Sequence, residues 1–181
     1  LNIDPEDVVR KITPRTRAIV PVHYAGHPAL MDELLVIARS HGLRIIEDAA
    51  HALPASHRGR RVGTIGDITA FSFYATKHLT TGEGGMLTLS DAVLAKRLRS
   101  RRLHGMSRSA WRRYSDSGTW RYDVTYPGFK YNMTDTAAAM GLVQLRRLPA
   151  LHRRRHELSA LYTELLADIP QLQLPVTQPG T

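Results

Sequence analysis

The sequence contains no cysteine, and this absence removes three kinds of chemistry. A disulfide framework, a thiolate metal site and a cysteine nucleophile are all excluded. No apolar run approaches the roughly 18 residues that a membrane-spanning helix needs, so we expect no membrane segment. The chain starts at Leu1 with neither an initiator Met nor a charged-then-apolar signal pattern. We therefore predict an internal piece of a longer, cytoplasmic protein.

Acidic residues are scarce relative to basic ones. The chain contains 16 Asp and Glu residues and 25 Lys and Arg residues, which gives a formal net charge of +9. A basic balance can indicate nucleic acid or an anionic membrane surface as a partner. Because no low-complexity basic tail is present, we favour solvated faces and a general bias toward Arg, and predict neither partner. The densest basic cluster spans residues 91–113.

Short apolar runs alternate with helical patterns in the first half of the chain. Residues 17–24 predict a buried strand, residues 30–41 place apolar side chains at helical spacing before Gly42, and residues 43–48 predict the next strand. A strand, a helix and a strand in this order, over about 30 residues, have the length of a right-handed βαβ crossover. This pattern predicts parallel strands.

The second half continues the alternation. Residues 68–74 predict a third strand, and residues 86–89 predict a fourth after a Gly-rich turn. A helix capped by Ser90 or Asp91 should run to about Leu103, and two further helices should cover residues 134–148 and 149–168. Residues 57–67 and 105–130 are typical of loops. The fold class is therefore α/β, with a mostly parallel sheet flanked by helices.

Polar residues at the carboxyl ends of the strands are the first candidates for chemistry, because ligands of open α/β sheets bind there. Asp48 ends an apolar strand and could either meet a cationic group or cap a helix. Lys77 follows the third strand and could be a Schiff-base lysine or an ordinary surface lysine. Ser72 could offer its hydroxyl to a phosphate or be a plain strand serine.

Four ordered motifs resemble the DegT/StrS family of sugar aminotransferases, which depend on pyridoxal 5′-phosphate (PLP) and have fold type I. They are residues 47–52 (Glu-Asp-Ala-Ala-His-Ala), 71–77 (Phe-Ser-Phe-Tyr-Ala-Thr-Lys), 81–85 (Thr-Gly-Glu-Gly-Gly) and 128–135 (Gly-Phe-Lys-Tyr-Asn-Met-Thr-Asp). Motifs of this length and order are far more specific than a lone Gly-rich loop.

The resemblance implies roles for five residues. Lys77 matches the lysine that holds PLP covalently, and Asp48 matches the carboxylate that faces the pyridine nitrogen. His51 stands where family members carry Gln or His beside the 3-hydroxyl of the cofactor. Ser72 matches a hydroxyl that binds the cofactor phosphate. Asn132 matches an asparagine that reaches a phosphate in the neighbouring subunit's site, which implies a homodimer with shared active sites.

The resemblance also implies the reaction and the domain plan. An amino group would move from an amino acid, with glutamate expected, to a nucleotide-linked keto-deoxy sugar, in polysaccharide or antibiotic sugar biosynthesis. Residues 1–148 would form part of the PLP-binding large domain. Residues 149–181 would form a connecting helix and the start of a linker to a small C-terminal domain. Because family members extend on both sides, we expect this chain alone to be inactive.

Two other functions stay open. Some relatives are PLP-dependent sugar dehydratases with histidine in place of the lysine; Lys77 argues against this function, although His78 is adjacent. A non-catalytic PLP-fold regulator would bind nucleic acid with a steep salt dependence, but no helix-turn-helix or aromatic platform is evident.

Several other residues carry weaker signals. His152 and His156 have a helical metal-ligand spacing, but no third ligand is in view, so we predict no metal. His23 and Tyr24 could line the site or pack in the core. The basic cluster could meet a nucleotide diphosphate or form a solvated helix face.

Overall fold

The computed structural model describes residues 1–107 and 123–181. Two units emerge from the contacts within the chain. The first contains Leu1–Thr88 together with Asp135–Thr181, and the second contains Leu89–Thr134. The two units are described separately below.

A four-stranded sheet organises the first unit. Its strands are β1 (Ala18–Ile19), β2 (Arg44–Asp48), β5 (Ile68–Ser72) and β6 (Gly85–Thr88), in the order β1-β2-β5-β6. The strands β1, β2 and β5 are parallel, and β6 runs antiparallel to β5. The predicted α/β class with a mostly parallel sheet is confirmed. A separate antiparallel pair, β3 (Ser56–His57) and β4 (Arg60–Arg61), occupies part of the segment predicted as a loop.

The helices of the first unit flank this sheet. They are α1 (Pro5–Lys11), α2 (Met31–Ser40) and α4 (Asp135–Leu166), and a short 3₁₀ turn covers Tyr24–Gly26. Helix α2 connects β1 to β2, as the predicted βαβ crossover requires. Helix α1 begins with Asp4 as its N-cap and Pro5 in its first turn, a combination that satisfies one free N–H group and removes another.

The core lies between α2 and one face of the sheet. Met31, Leu34 and Ala38 on α2 pack against Ile19 of β1 and Ile45 of β2, and all five are buried. These α2 residues recur at the three- and four-residue intervals that place side chains on one helix face. Burying this face removes apolar surface from water, which is the main favourable contribution to folding.

The opposite face of the sheet carries the candidate site residues. Asp48 pairs with Ala70, and Ser72 lies two residues further along β5, so both side chains stand on the same face. Val22 bridges to Asp48 and Leu87 pairs with Ala70, so they share this face and are 43% and 47% exposed. The sheet therefore has one packed face and one largely open face, and the predicted site residues Asp48 and Ser72 lie on the open face.

The first strand is shorter than the predicted residues 17–24. Pro21 has no N–H to donate, so the regular ladder stops at Ile19. Pairing nevertheless continues, because Asp48 N donates to Pro21 O at 2.9 Å and His23 N donates to Asp48 O at 3.0 Å. The segment therefore stays beside β2 up to the carboxyl edge.

The C-terminal helix corrects another prediction. Separate helices over 134–148 and 149–168 were expected, but α4 is continuous from Asp135 to Leu166 with Pro149 inside it. Proline removes one helical N–H, which would have bonded the carbonyl of Leu145. Both residues are exposed, so water can satisfy that carbonyl. The predicted domain boundary between residues 148 and 149 stays a prediction.

Replacing Pro149 with Ala should raise the free energy of unfolding by about 1–2 kcal/mol. The full difference between the two residues in a helix interior is about 3 kcal/mol, and part of it is offset by solvation of the freed carbonyl. Urea unfolding followed by circular dichroism measures the change. Pro170→Ala, beyond the helix, is the matched control and should change little. Equal or lower stability for Pro149→Ala would contradict a helix that continues through this position.

The second unit contains α3 (Ala92–Arg101) and two isolated bridges, Leu103–Lys130 and Met106–Val124. Asp91 caps α3 by accepting from the N–H groups of Val93 and Leu94, as one of the two predicted capping residues. The basic residues of α3 are exposed for the most part, while Arg108, Arg112 and Arg113 of the basic cluster lie outside the described residues.

Glycine is required at more than one point of this unit, and Gly105 is the clearest case. Gly105 has a φ of +70°, and a Cβ atom there would lie 1.8 Å from the carbonyl oxygen of Tyr126.

Across residues 1–107 and 123–181, no helix combines the length and the hydropathy needed to cross a bilayer.

Candidate active site

Asp48 is held firmly at the carboxyl end of β2. Its backbone pairs with Pro21 and His23 on one side, and Ala49 N donates to Ala70 O on the other. Its Oδ1 accepts from Ala50 N at 3.0 Å, which fixes the side chain in an Asx-type turn. Among the described residues, no donor reaches its other oxygen, Oδ2. One carboxylate oxygen therefore remains free to meet a cationic or protonated group.

Ser72 ends the neighbouring strand β5 on the same sheet face as Asp48. Its Oγ accepts from Tyr74 N at 3.3 Å. A hydroxyl that accepts one bond still has its own proton to donate. No acceptor within the described ranges takes that proton, so the hydroxyl can bind an oxyanion.

Lys77 lies in a closed loop that begins where β5 ends. Thr81 N donates to Phe73 O at 2.9 Å, and Phe73 N donates to Gly84 O at 2.8 Å, so backbone bonds fasten the base of the loop. Lys77 N donates to Tyr74 O at 3.0 Å within a turn of the loop. The half-buried Lys77 side chain makes no hydrogen bond or ion pair with any residue that the structure describes. We call residues 74–80 the lysine loop.

His51 follows Asp48 by three residues and packs beside the 3₁₀ turn. Its ring contacts Tyr24 edge-on, with centroids 6.3 Å apart. Gly26 permits this approach, because a Cβ atom at that position would lie 2.9 Å from the carbonyl oxygen of His51. Gly26 also has a φ of +85°, which a side chain would strain. The half-buried His51 ring has no hydrogen bond from the described part of the chain.

The neighbour of Lys77 has a lowered pKa. Burial lowers the pKa of His78 from its usual 6.5, and the positive charges of Arg155, His152, His51 and Lys77 lower it further. His51 and Lys77 therefore lie within electrostatic range of the same imidazole. Two residues of α4, Arg155 and His152, therefore influence the pKa of His78, and the composition of the chain did not predict this influence.

This arrangement predicts a pH-dependent stability. The folded state disfavours a proton on His78, so its contribution to stability is present above pH 6.5 and is lost as the pH falls from there toward the folded value. Arg155→Gln should raise the pKa of His78 by removing a repelling charge. NMR titration of the ring C–H signals measures this change. Arg153→Gln is the matched control, and an equal rise in both variants would contradict the specific contact.

A buried pair lies on the opposite sheet face and was missed by the sequence reasoning. His23 Nε2 lies 2.9 Å from Glu47 Oε2, and both side chains are 0% exposed. Glu47 Oε1 also accepts from Thr69 Oγ1 and from Gly66 N, each at 2.7 Å. His23 could have lined the site or packed in the core, and the structure places it in the core. The alternation of side chains along a strand could have revealed the buried position of Glu47. Successive residues point to opposite faces of a sheet, so Glu47 and Asp48 cannot share a face.

Four of the five predicted site residues belong to the first unit. Asp48 and Ser72 end the adjacent strands β2 and β5, and His51 and Lys77 follow these ends by three and five residues. Asn132 belongs to the second unit, where its Oδ1 accepts from Lys130 Nζ at 2.5 Å. Its role toward a neighbouring subunit stays a prediction.

A cavity of about 640 Å³ opens elsewhere on the first unit. Its lining includes Ile12, Arg17 and Leu43. Arg17 and Leu43 precede β1 and β2, so the cavity is at the amino ends of the strands. Ligands of open α/β sheets bind at the carboxyl ends, and the candidate site is therefore not this cavity.

Comparison with known proteins matches the whole chain to one protein family. The DegT/DnrJ/EryC1/StrS aminotransferase family matches residues 1–181. The spore coat polysaccharide biosynthesis protein SpsC of Bacillus subtilis is 52% identical over 175 residues, which are 97% of this chain and 45% of SpsC. The uncharacterized protein MJ1066 of Methanocaldococcus jannaschii is 51% identical over 174 residues, 96% of this chain and 45% of that protein. The chain spans less than half the length of these relatives.

Solved structures agree with this comparison. The aminotransferase TlmJ from Streptoalloteichus hindustanus superposes with a TM-score of 0.89 at 38% identity, covering 99% of this chain and 47% of TlmJ. The Spr1654 protein from Streptococcus pneumoniae, solved in its PLP form, gives a TM-score of 0.82 at 32% identity over 92% of this chain and 45% of Spr1654. DesI, solved with its TDP-sugar product, gives 0.81 at 39% identity over 95% of this chain and 41% of DesI.

Proposed function

The chain belongs to the DegT/DnrJ/EryC1/StrS aminotransferase family, and from that premise we propose that it supplies the lysine-bearing part of a PLP-dependent sugar aminotransferase. The observation that carries the proposal is the set of available polar groups at one sheet edge. Lys77 offers an amine, Asp48 one carboxylate oxygen, Ser72 a hydroxyl proton and His51 an imidazole. The PLP form of the similar Spr1654 supports the choice of cofactor.

The donor set suits the groups of PLP. An aldehyde can be captured by the amine of Lys77, because a lysine amine forms a Schiff base with a carbonyl group. A protonated ring nitrogen matches the free Oδ2 of Asp48, and a phosphate oxygen matches the hydroxyl of Ser72. His51 can donate to the ring oxygen next to the aldehyde. The residues therefore fit the cofactor that the resemblance implied.

Each residue would then have a defined task. Bound PLP supplies an electron sink for the pair left when a carbon beside nitrogen loses its proton. Asp48 keeps a proton on the ring nitrogen, because a carboxylate beside that nitrogen favours its charged form. Ser72 and His51 orient the ring at its phosphate and its oxygen. Lys77 would hold the aldehyde group through its amine and, once that amine is free, would move the proton of the substrate carbon as a general base and acid.

The substrates belong to the proposal as well. We propose that the amino group passes from an amino acid, with glutamate expected, to the ketone of a nucleotide-linked sugar. DesI with its TDP-sugar product and the polysaccharide role in the name SpsC support this substrate class. Polysaccharide or antibiotic sugar biosynthesis in the cytoplasm is the expected setting.

The assembly follows from the same reasoning. We propose a homodimer in which Asn132 reaches the partner's site. Residues 1–148 would form the PLP-binding part, and residues 149–181 would lead to a small C-terminal domain. Because the chain spans less than half of its curated relatives, activity should need the remaining segments, and this chain alone should not turn over.

Covalent labelling tests the proposal directly. The full chain is incubated with excess PLP, reduced with borohydride, digested and analysed by mass spectrometry. The adduct should lie on Lys77 among the four lysines of the sequence. An adduct spread evenly over Lys11, Lys77, Lys96 and Lys130 would count against the site.

A further inference from the structure

The packed face of the sheet carries a buried hydrogen-bond network directly behind Asp48. Its centre is the carboxylate of Glu47, the residue that precedes Asp48 in β2. Glu47 Oε2 lies 2.9 Å from His23 Nε2. Glu47 Oε1 accepts from Thr69 Oγ1 and from Gly66 N, each at 2.7 Å. A buried carboxylate is costly unless its oxygens are hydrogen-bonded, and both oxygens are bonded here.

The network joins the chain segments that place the candidate site. His23 lies in the segment that continues β1 beside β2, and Glu47 belongs to β2 itself. Thr69 pairs with Glu47 across the sheet, and Ser72 ends the same strand β5 three residues later. One carboxylate therefore ties the strand that ends in Asp48 to both of its neighbours.

The backbone of Asp48 is bonded to the same network. His23 N donates to Asp48 O at 3.0 Å, and Asp48 N donates to Pro21 O at 2.9 Å. His23 is thus bonded to Asp48 through its backbone and to Glu47 through its ring. Because these bonds restrain two consecutive residues of β2, they restrict the direction in which the Asp48 side chain leaves the opposite face.

We propose that His23 and Glu47 are positioning residues that hold the Asp48 carboxylate in the orientation that meets the ring nitrogen of the cofactor. They act through the backbone, since their own side chains lie on the other face of the sheet. The inference rests on the proposed function in one respect, because the cofactor is the molecule that Asp48 would meet. The restraint on Asp48 exists without PLP and can be measured in its absence.

The two ring nitrogens of His23 allow a matched pair of variants. Nδ1 accepts from Ala29 N at 3.1 Å, whereas Nε2 faces Glu47. His23→Gln places an amide nitrogen near the position of Nε2 and can keep the bond to Glu47. His23→Asn is shorter, so it can accept from Ala29 N but does not reach Glu47. Each variant breaks one buried hydrogen bond, and the two losses of stability should therefore be similar.

Amide hydrogen exchange of the full chain tests the restraint without any cofactor. His23→Asn should lower the protection of the Asp48 N–H by about ten-fold or more, and His23→Gln should lower it by less than about three-fold. The N–H of Leu34, which bonds Leu30 O at 3.1 Å in α2, reports any general loss of stability. Equal losses at Asp48 in both variants, or a loss no larger than that at Leu34, overturn the positioning role.

Thr69→Val keeps the test decisive if the histidine variants do not fold. Valine nearly preserves the shape of threonine, and Glu47 Oε1 still accepts from Gly66 N without the hydroxyl. We expect the protection of the Asp48 N–H to fall by about three-fold, and Thr69→Ser, which keeps the hydroxyl, should restore it. Equal protection in Thr69→Val and Thr69→Ser also overturns the role.

A spectroscopic measurement relates the restraint to the cofactor. The full chain is loaded with PLP, and the pH at which the absorbance of the bound cofactor changes by half is measured. Asp48→Asn should raise this pH by about one unit or more, because an unprotonated ring withdraws less electron density from the nitrogen that joins it to Lys77. His23→Asn should shift it in the same direction, and His23→Gln should leave it near the wild-type value. A merely structural role would reduce the amount of bound cofactor and leave this pH unchanged.

The combined results separate the inference from the proposed function. A selective loss of Asp48 protection in His23→Asn, together with no adduct on Lys77 in the wild-type chain, counts against the proposed cofactor chemistry alone. Labelled Lys77 with an unchanged half-change pH in His23→Asn counts against the positioning role alone.

Discussion

Lys77→Ala is expected to eliminate the borohydride-stable attachment of PLP to this chain and, in an active enzyme, to reduce turnover by more than about 10³-fold. The size follows from the two roles of one amine, which holds the cofactor and then transfers a proton; proton transfer alone contributes about 10²–10⁴-fold. Mass spectrometry of the reduced chain and an amino-transfer assay measure the two losses separately.

Two further variants identify the cause. Lys77→Arg keeps the charge, but a guanidinium stays protonated at working pH, so attachment should be lost as fully as in Lys77→Ala. Lys11→Ala removes an exposed lysine on α1 and should change nothing. Persistent labelling in Lys77→Ala would mean that another lysine holds PLP, and the assignment of the site would fail.

The fold was largely predictable where the apolar pattern agrees with the glycine and proline residues that end helices and strands. Residues 30–41 show helical spacing and end before Gly42, and α2 follows this pattern within one residue at each end. The β3–β4 pair was not predicted, because residues 56–61 are polar and lack the apolar alternation of a buried strand. Pro149 misled the prediction of α4, since proline usually marks a boundary but is tolerated where the freed carbonyl is solvated.

The site was predictable to the extent that it lies at strand ends. Asp48 ends an apolar strand and Lys77 follows another by five residues, so position and resemblance pointed to the same edge. The Glu47–His23 pair was hidden because its members are 24 residues apart and only the β1–β2 pairing joins them. The contribution of α4 was hidden for the same reason, since Arg155 acts on His78, which precedes it by 77 residues in the sequence.

The hydrogen bonds of the buried pair define its charge state. Ala29 N donates to His23 Nδ1 at 3.1 Å, so that ring nitrogen is an acceptor and carries no proton. The proton is therefore on Nε2, which donates to Glu47, and the histidine is neutral beside an ionised carboxylate. Burial alone would raise the pKa of Glu47, but the hydrogen bonds from His23, Thr69 and Gly66 outweigh it and leave the pKa below its usual 4.5.

Glu47→Gln should consequently lower the free energy of unfolding by about 2–3 kcal/mol, although the side chain keeps its shape. With its amide nitrogen toward His23, two donors face each other; with the amide reversed, the nitrogen faces the N–H of Gly66. A buried donor left without an acceptor costs about 1–3 kcal/mol. The remaining hydrogen bonds are also weakened, because their acceptor is no longer a charged carboxylate. Urea unfolding at pH 7 measures the difference, and Glu157→Gln on the exposed surface of α4 is the control.

The pH dependence separates this explanation from a simple packing defect. Because the folded-state pKa of Glu47 lies below its unfolded value, its contribution is complete above pH 4.5 and is lost as the pH falls through the folded value. The wild-type chain should lose this contribution on acidification, whereas Glu47→Gln has no carboxylate there to protonate. The stability gap between the two should therefore narrow as the pH drops below 4.5. A wild-type chain that instead gains stability as the pH falls from 7 toward 4.5 would show that Glu47 is protonated in the fold, and the hydrogen-bond assignment of the pair would fail.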